Sequence, residues 1–534
     1  MIDSLDQPAW VNVMLSQATA KGLVEICLVV KNLDEIKWSE KISKNLPYLG
    51  YYLYEKLDEI IFRLIFRNLP SAFRKTSIGQ LVKTAKTIEV RPIRKKYFDY
   101  FDLNDLEEIR RTNCDLLLRL DFRILRGEIL DVTPYGVWSF HHGDSSRYRG
   151  GPSSFWELIE ESSTTGVVLQ KLTEKLDGGP ILARHIGPTY RYSLARTRHQ
   201  NYWRGSELFE RALKRVLGGQ HINLEWPEVS DGGALYRLPS NTFMLGELFP
   251  LLFRWPLRIW REIRSTDSWM MCWQHEKKEF GVISGHHCFD SPRDGFIADP
   301  CAVEHNNNIL IFYERWSKKI ARGYIELIEM TSEGVLLDPV CVLKENWHLS
   351  YPYVFKWKNQ WWMVPESAEI GRVDLYRASR FPYEWGWHST LLRNVNAVDS
   401  TLAEINGHWW MWTSTAPQWV DNWDVVKLYM AESPLGPWVE HPLSPVVSDV
   451  RCARPAGRPF FRNGYWIRPT QDCSQGYGSA LNFRRITCIS PTEYDEENCR
   501  KIIPESVGNS ITGIHTWSAA GKREFFDTKS DSGA

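Results

Sequence analysis

Residues 306–316 read NNNILIFYERW, a turn rich in asparagine followed by a strand of large apolar residues. The same pattern returns three times along the chain: KNQWWMVPES at 358–367, NGHWWMWTST at 406–415 and RNGYWIRPTQ at 462–471. The turn residues Asn307, Asn359, Gly407 and Gly464 follow one another at steps of 52, 48 and 57 residues. A repeat near 50 residues, with several strands in each copy, is typical of a β-propeller blade.

A second element repeats in phase with the first. It reads VDLYRASRFPYEW at 373–385 and VKLYMAESPLGPW at 426–438, and the two Leu-Tyr pairs are 53 residues apart. At this spacing residues 267–510 hold about five blades. We therefore predict an all-β five-bladed propeller over 267–510, followed by a C-terminal tail at 511–534. A β-sandwich would also use short strands, but it would not explain two elements repeating in one phase.

The first part of the chain has a different pattern. Short apolar runs such as LVEICLVV (23–30) and DLLLRLDF (115–122) alternate with helical spacing, as in DLNDLEEIRRTN (102–113). This alternation predicts an α/β layer around a parallel sheet. The fold class we predict is multidomain: a Rossmann-like α/β domain at 1–220, a connector at 221–266, and then the propeller.

The composition bounds the function. The chain has 534 residues, 43% of them hydrophobic and 24% charged, and its formal net charge is zero. Two or three domains is the natural expectation for this length. Because there is no basic surplus, we expect no nucleic-acid partner. The 25 tryptophans suit all-β cores and also sugar-stacking surfaces, and the core interpretation is favoured.

The ten cysteines are scattered, with no CxxC pair, which argues against a zinc site or a compact disulfide scaffold. No metal is expected. The sequence begins MIDSLDQPAW, without the basic and apolar regions of a signal peptide, and no apolar run reaches about 18 residues. We therefore expect a cytoplasmic protein whose thiols are reduced.

Two segments, 47–68 and 242–264, mix aromatic and aliphatic residues with arginines. Either could lie on a membrane surface as an amphipathic helix. The favoured interpretation is that both pack against their own domain, so peripheral contact with a membrane is not expected.

Residues 136–182 carry a set of motifs in a fixed order. They are Ser139-Phe140-His141 at a strand end, Tyr148-Arg149-Gly150-Gly151-Pro152 in a tight loop, Thr165-Gly166-Val167, and Leu176-Asp177-Gly178-Gly179-Pro180. In combination the motifs resemble the core of the formyltransferase family, which includes methionyl-tRNA formyltransferase and sugar N-formyltransferases. The resemblance covers about residues 1–200. It implies 10-formyltetrahydrofolate as formyl donor and an amine as acceptor.

The resemblance also implies residue roles. His141 would donate a hydrogen bond to the oxygen that becomes negative during transfer, and Asp177 would orient the imidazole or take the amine proton. Ser139 stands where the family has Asn, and its hydroxyl can donate one hydrogen bond. The loop expected to contact the folate consists of Phe122, Arg123, Ile124 and Leu125. The residues expected at the amine substrate are His142, Asp144 and Arg149.

The repeats of the second half carry their own motifs: Ala298-Asp299-Pro300, His348-Leu349-Ser350-Tyr351-Pro352, Pro365-Glu366-Ser367 and Val398-Asp399-Ser400. They resemble the five-bladed domains of glycoside hydrolases and the N-terminal domain of glucosamine inositolphosphorylceramide transferases. In these folds carboxylates at the inner strand ends face a central funnel. The resemblance implies Asp299, Glu366 and Asp399 as sugar-binding candidates. Glu314, His348 and Asp472 could also line the funnel.

Three interpretations of the carboxylates stay open: sugar binding, glycoside hydrolysis with one acid and one base or nucleophile, and structural capping of turns. For the whole chain, the simplest function is transfer of a formyl group to the amine of a sugar or glycoconjugate, with the propeller holding the carbohydrate or glycolipid acceptor. Because Ser139 replaces the family Asn, the alternative is a non-catalytic carbohydrate-binding protein with a degenerate formyltransferase fold. A glycoside hydrolase with an accessory α/β domain is the third.

Overall fold

The computed structural model describes residues 1–34, 45–95, 97–175, 178–218, 234–247, 250, 251, 253, 256, 269–277, 279–417 and 419–530. By its internal contacts the chain divides into two units, Met1–Trp260 and Arg261–Ala534. Within the described residues, none of the helices combines the length and the apolar character needed to span a bilayer.

The first unit contains both helices and strands. Its helices are α1 (Ala9–Ala20), α2 (Leu49–Ile65), α3 (Leu103–Arg110), α4 (Phe155–Ile159) and α5 (Leu194–Leu217). Its strands are β1 (Asp6–Pro8), β2 (Leu28–Asn32), β3 (Lys75–Ser77), β4 (Lys86–Val90), β5 (Ile93–Lys95), β6 (Phe98–Tyr100), β7 (Leu117–Arg119), β8 (Ile124–Leu125), β9 (Val137–His141), β10 (Tyr148–Gly150), β11 (Thr164–Lys171), β12 (Ile181–Pro188) and β13 (Ala234–Tyr236).

The sheets of the first unit mix parallel and antiparallel pairs. The largest has the order β12-β11-β9-β7, in which only β7 and β9 run parallel. A second, parallel pair joins β2 to β4. Met1 and Ile2 connect these two sheets: the Met1 amine donates to the Leu118 carbonyl at 2.8 Å, and the Ile2 amide donates to the Val30 carbonyl at 3.0 Å. The two sheets therefore continue into each other in the spatial order β4, β2, residues 1–2, β7, β9, β11 and β12.

Helix α5 covers this sheet with a buried face that includes Leu208 and Phe209. The Phe209 ring meets Trp138 of β9 edge to face, with ring centroids 6.2 Å apart. At the start of α5, the Ser193 hydroxyl accepts from the Arg196 amide, which is a normal N-cap. The buried Asp58 carboxylate on α2 accepts from the Ser193 hydroxyl and the Ala195 amide. The two helices are thereby fixed to each other.

The regular secondary structure of the second unit is almost entirely β-strand. The strands are β14 (Trp269–His275), β15 (His287–Cys288), β16 (Gly295–His305), β17 (Asn308–Ser317), β18 (Arg322–Met330), β19 (Val340–Leu343), β20 (Ser350–Trp357), β21 (Gln360–Glu366), β22 (Arg372–Arg380), β23 (Glu384–Arg393), β24 (Ala397–Ile405), β25 (His408–Thr415), β26 (Val426–Ala431), β27 (Val439–Glu440), β28 (Phe460–Arg462), β29 (Tyr465–Asp472), β30 (Ala480–Ile489), β31 (Tyr494–Ile502), β32 (Ile511–Gly513), β33 (Trp517–Ala520) and β34 (Arg523–Ser530).

These strands form five antiparallel sheets in chain order. Sheet 1 contains β14, β15 and β32–β34; sheet 2 is β16–β19, sheet 3 is β20–β23, sheet 4 is β24–β27 and sheet 5 is β28–β31. A hydrophobic cluster lies between each neighbouring pair of sheets, and one further cluster joins sheet 5 to sheet 1 through Phe483 and Trp517.

The sequence repeat corresponds to the first hairpin of sheets 2 to 5. Both central residues of each two-residue loop have positive φ, as type I′ turns require. The pairs are Asn306 and Asn307 (49° and 66°), Lys358 and Asn359 (46° and 60°), Asn406 and Gly407 (53° and 80°), and Asn463 and Gly464 (52° and 85°). The apolar run after each turn is the second strand, which is buried along most of its length because it lies between two neighbouring sheets.

Sheet 1 holds both ends of the described part of this unit. Strand β14 pairs with β34 from Trp269–Lys529 to His275–Arg523. Residues 511–534 were predicted as a C-terminal tail. In the structure, residues 511–530 contribute three strands to this sheet. They do so because Trp517, Phe525 and Phe526 fill the cores on either side of it.

The prediction that all thiols are reduced is wrong at one pair. Cys272 of β14 and Cys288 of β15 lie directly opposite in the sheet and form a disulfide. The sequence pattern could not indicate this bond because 16 residues separate the two cysteines.

Candidate functional site

The largest polar cavity of the second unit has a volume of about 790 Å³. Residues from all five sheets and their loops line it. They include Trp269, Phe296, Asp299, Glu314, Trp316, His348, Glu366, Trp423, Arg454, Tyr477 and His515. Buried carboxylates, the buried guanidinium of Arg454, two imidazoles and several aromatic faces therefore converge on one space.

A repeated backbone device shapes the wall of this cavity. The first strands of sheets 2, 3 and 4 each contain a register shift, and each shift encloses a residue with positive φ. These residues are Asp299 (57°), Tyr351 (42°) and Asp399 (51°). Left-handed backbone at a residue other than glycine costs on the order of 1–3 kcal/mol and concentrates at functional sites. The same strained bulge thus occurs in three successive sheets, and two of its three residues are predicted site carboxylates.

Asp299 belongs to a buried chain of charges. One of its carboxylate oxygens lies 3.1 Å from His515 Nε2, and Asp527 Oδ1 lies 2.8 Å from His515 Nδ1. Burial opposes a charge on the imidazole, but the carboxylates of Asp527 and Asp299 raise the pKa of His515 to about 10. His515 is therefore an imidazolium at neutral pH, held between two carboxylates.

Asp399 belongs to a second charged cluster. Arg454 donates to it twice, from Nε at 2.5 Å and from Nη2 at 3.3 Å, and Gln471 donates at 2.9 Å. The Arg454 guanidinium also lies 3.9 Å from Glu366 and 4.8 Å from the centre of the Tyr477 ring. Burial alone would lower the pKa of Arg454, but the neighbouring Asp399 and Glu366 outweigh this effect. The pKa of Arg454 is therefore raised well above its usual value. Asp399 thus fixes the guanidinium that faces the cavity.

Glu314 and Glu366 differ from these paired groups. Burial, followed by the nearby charges of Asp299 and Glu366, raises the pKa of Glu314 well above its usual value. Burial and the charge of Asp399 do the same to the pKa of Glu366. The raised pKa of each carboxyl group favours its protonated form, which can donate a hydrogen bond or a proton.

His348 reaches Glu314 from the side. Its Nδ1 accepts from the Gly323 amide at 2.9 Å, so the ring proton of the neutral imidazole is on Nε2, which lies 3.5 Å from Glu314. Burial lowers the pKa of His348, which favours this neutral form.

Aromatic rings cover much of the remaining wall. Phe296 and Trp316 stack with centroids 5.3 Å apart, and Trp269 lies 4.1 Å from the His515 ring. Trp423 approaches Tyr477 at 6.2 Å. A pocket that combines flat apolar faces with a few polar groups can orient a ligand that has one apolar and one hydroxylated face.

Within the part of the chain that the structure describes, two groups of residues have donor atoms close enough to hold a metal ion. The first is Asp299, His515 and Asp527, where both imidazole nitrogens already face carboxylates at hydrogen-bond distance. The second is Cys272, His286 and Cys288, where the disulfide occupies both sulfur atoms. In each group the donor atoms are engaged within the protein.

The structure brings Asp299, Glu314, His348 and Glu366 together on this cavity, with Asp399 behind Arg454. Asp472 is different, because it is buried and bound to Lys501 at 2.7 Å.

Sequence reasoning missed Arg454, His515 and Asp527. Arg454 follows Asp399 by 55 residues, close to the repeat length, and this phase could have revealed it. His515 and Asp527 lie beyond the last copy of the repeat, where no signal was available.

The predicted residues of the first unit gather at the end of β9. Ser139 is buried and its hydroxyl accepts from Arg119 Nε at 2.9 Å. His141 Nε2 lies 2.9 Å from the Tyr148 carbonyl, so this nitrogen carries the proton. His142 stacks on Tyr202 with ring centroids 3.6 Å apart.

The other predicted residues of the first unit have varied surroundings. Asp144 forms an ion pair with Arg184 at 2.6 Å, and Arg149 is partly buried in β10. Asp177 lies outside the described residues. In the predicted folate loop, Phe122 and Leu125 are buried in the core, Arg123 approaches Asp99 at 3.4 Å, and Ile124 is partly buried in β8.

Residues 284–532 match the family described as "Glucosamine inositolphosphorylceramide transferase 1, N-terminal". A glucosamine inositolphosphorylceramide transferase 1 of Oryza sativa subsp. japonica is 33% identical over 205 residues, which are 38% of this chain and 27% of the relative. The Arabidopsis thaliana protein of the same name is 32% identical over 238 residues, 44% of this chain and 30% of the relative. The chain thus spans less than a third of the length of these relatives.

A methionyl-tRNA formyltransferase of Halorhodospira halophila is 34% identical over 128 residues, 24% of this chain and 41% of that protein. Among solved structures, the catalytic domain of a family 62 α-L-arabinofuranosidase from Coprinopsis cinerea has a TM-score of 0.32 and 13% identity, covering 49% of this chain and 97% of that one. The fold of the second unit is assigned from its own strand pairing and not from this similarity. Residues 284–532, all within the second unit, are therefore similar to the N-terminal part of glucosamine inositolphosphorylceramide transferases, and a shorter part of the chain is similar to methionyl-tRNA formyltransferase.

Proposed function

We propose that the five sheets of the second unit form a five-bladed β-propeller whose central cavity binds the sugar of a glycoconjugate. The observation that carries this proposal is the convergence on one cavity of Glu314 and Glu366, whose pKa values are raised, with the charged Arg454 and several aromatic faces. The names of the relatives support a glycolipid that contains inositol phosphate as the ligand class.

The two protonated carboxyl groups would donate hydrogen bonds to sugar hydroxyl oxygens, and Asp299 would accept from a hydroxyl. Arg454 would bind a phosphate or a cluster of hydroxyl oxygens, because a guanidinium presents several donors in a fixed plane. Trp423 and Tyr477 would contact the apolar face of the ring.

Calorimetric titration with glucosamine, inositol phosphate and glucosaminyl-inositol phosphate tests this proposal. We expect Trp423→Ala to weaken binding about tenfold, in line with the loss of a buried aromatic contact. Trp387→Ala is the matched control, since Trp387 is 56% exposed and does not line the cavity. Equal effects of the two substitutions, or no binding of any of these ligands by the folded protein, would contradict the assignment.

For the first unit we propose a Rossmann-like formyltransferase domain that transfers a formyl group from 10-formyltetrahydrofolate to the amine of a sugar or glycoconjugate. The chain would thus be a transferase. The similarity to methionyl-tRNA formyltransferase and the proximity of Ser139, His141 and Asp144 around the end of β9 support this.

The donor would supply the formyl group, and the residues of this chain would orient and stabilise charge. Because the Tyr148 carbonyl accepts from His141 Nε2, it fixes the orientation of the imidazole, and protonation at Nδ1 would add a donor for the developing negative oxygen. Asp177 would orient the imidazole or take the amine proton. In the folate loop only Arg123 and Ile124 are partly exposed, so the backbone of this loop, together with these two side chains, would make the contacts.

Titration with the stable 5-formyl analogue of the folate tests the second proposal. We expect saturable binding that is lost or strongly weakened in a His141→Ala, Asp177→Ala double variant and kept in His388→Ala, an exposed histidine of the second unit. Absence of binding by the folded wild-type protein would remove formyl transfer and leave sugar binding as the function of the chain.

One observation favours glycoside hydrolysis as a second candidate for the cavity. A carboxyl group with a raised pKa, Glu314 or Glu366, lies in the same site as Asp299, which is the residue set that glycoside hydrolysis uses. Chromogenic glycosides test it: turnover by the wild type that is abolished in Glu366→Gln would establish hydrolysis, and no turnover on any of them would exclude it for those sugars.

A further inference from the structure

Helix α2 carries two apolar faces. One face, with Tyr51, Tyr54 and Phe62, is buried in the first unit. The other is an exposed stripe of aliphatic residues spaced three or four apart: Leu46, Leu49, Leu53, Leu57, Ile60 and Leu64, each between 43% and 61% exposed. Residues at this spacing lie along one side of a helix. Packing among the described residues of the unit thus accounts for only one of the two faces.

The charges of the helix are segregated in the same way. Its three acidic side chains all have partners within the protein. Asp58 accepts a hydrogen bond from the Ala195 amide of α5, and Glu55 forms an ion pair with Arg198. Glu59 lies 3.0 Å from His199 and 2.9 Å from Arg63. By contrast, Lys56 in the helix and Arg67 just beyond its end are exposed. At 100° per residue Lys56 borders the aliphatic stripe, and Arg67 follows the last turn of the helix. The outward side of α2 is therefore apolar with a cationic margin.

We propose that this stripe docks the protein onto the anionic surface of a phospholipid bilayer. The aliphatic side chains would enter the boundary between headgroups and acyl chains, and Lys56 and Arg67 would meet lipid phosphates. A second copy of the chain fits less well. In a symmetric pairing of two stripes the acidic residues of each helix are already bound inward, so they could not neutralise the cations of the partner.

A neighbouring segment extends the apolar surface. The Asn241 side chain accepts from the Gly50 amide and donates to the Leu46 carbonyl, both at 2.9 Å, which fixes the helix at 241–247 to the start of α2. A Cβ at Gly50 would lie 2.9 Å from Met244 Cβ, so only glycine permits this approach. In the same segment Leu245 is 77% exposed. Leu245 consequently adds one exposed apolar side chain in a segment that packs against the start of α2.

Flotation of the full chain with phosphatidylcholine vesicles, with and without phosphatidylserine, tests the proposal. We expect binding to the mixed vesicles that declines as salt is added. Leu53→Glu with Leu57→Glu should lower the partition coefficient by at least about tenfold. Leu103→Glu is the matched control, because this leucine is 66% exposed at the start of α3 and should leave partition unchanged. Lys56→Gln should weaken binding to the anionic vesicles about fivefold and leave binding to neutral ones unchanged.

Absence of flotation by the folded wild-type chain would overturn the proposal. So would equal losses in the Leu53, Leu57 variant and in the Leu103 control. If instead sedimentation reveals a dimer that the Leu53, Leu57 substitutions dissociate, and vesicles do not bind, the stripe is an interface between copies. None of these measurements depends on sugar or folate binding, so their failure would leave the proposed function untouched.

Discussion

Replacing Arg454 by methionine should leave the buried Asp399 carboxylate without its counter-charge. Arg454 is 7% exposed, donates twice to Asp399 and lies 3.9 Å from Glu366. Removing one partner of a buried ion pair costs about 3–5 kcal/mol. Methionine keeps most of the side-chain volume, so the loss reports charge rather than a cavity. The expected decrease is a large fraction of the roughly 5–15 kcal/mol that stabilises a typical domain.

Urea unfolding followed by tryptophan fluorescence measures this decrease, because 17 of the 25 tryptophans belong to the second unit. A double-mutant cycle with Asp399→Asn separates the charge effect from other losses. We expect Asp399→Asn to recover part of the stability lost in Arg454→Met, since it removes one uncompensated charge. A loss below about 1 kcal/mol at pH 7, or one that Asp399→Asn does not reduce, would refute the interpretation of this cluster as a charge-compensated pair.

Three further predictions concern stability. Folding raises the pKa of His515 from 6.5 to about 10, so the stabilisation that its charge provides is complete below pH 6.5 and is lost as the pH rises through 10. The urea midpoint of the wild type should therefore fall between pH 6.5 and 10, and that of His515→Gln should fall much less. Gly407→Ala, at φ 80° in a hairpin loop, should cost about 1 kcal/mol in urea unfolding, whereas Gly386→Ala, which has no positive φ and open space around it, should not; equal effects would disprove the turn assignment. Reducing the disulfide between Cys272 and Cys288, which are 16 residues apart, should lower the unfolding free energy by about 3 kcal/mol, and a Cys288→Ser variant should no longer respond to the reductant.

The sequence predicts the hairpins of the second unit well because their signal is local. Asn and Gly at positions of positive φ, followed by an apolar run, set each turn and the strand after it, and Asn406-Gly407 is the clearest example. The strand pairing of sheet 1 could not be predicted from the sequence, because its strands come from distant parts of the chain. The pairing of β14 with β34 depends on contacts across some 250 residues, and no repeat marks either strand.

The site divides in the same way. Asp299 and Asp399 could be found because each occupies the same bulge of successive repeats. His515, the partner of Asp299, is known only from the folded structure, since what selects it is proximity across sheets, whereas Arg454 stands about one repeat length after its partner Asp399. In the first unit, the motif identifies Ser139, but its hydrogen bond with Arg119 of the neighbouring strand requires the register of β7 and β9.

The joining of β14 to β34 has a consequence for biosynthesis. A ribosome that adds 5–20 residues per second needs roughly 12–50 s to make the chain between these strands. Throughout that interval β14 has one edge without its final partner, and such an edge can pair with a strand from another nascent chain. Sheets 2 to 5 consist of strands adjacent in sequence and can form as they emerge. Sheet 1 is thus completed last, which makes it the step at which chaperones would protect the newly made protein.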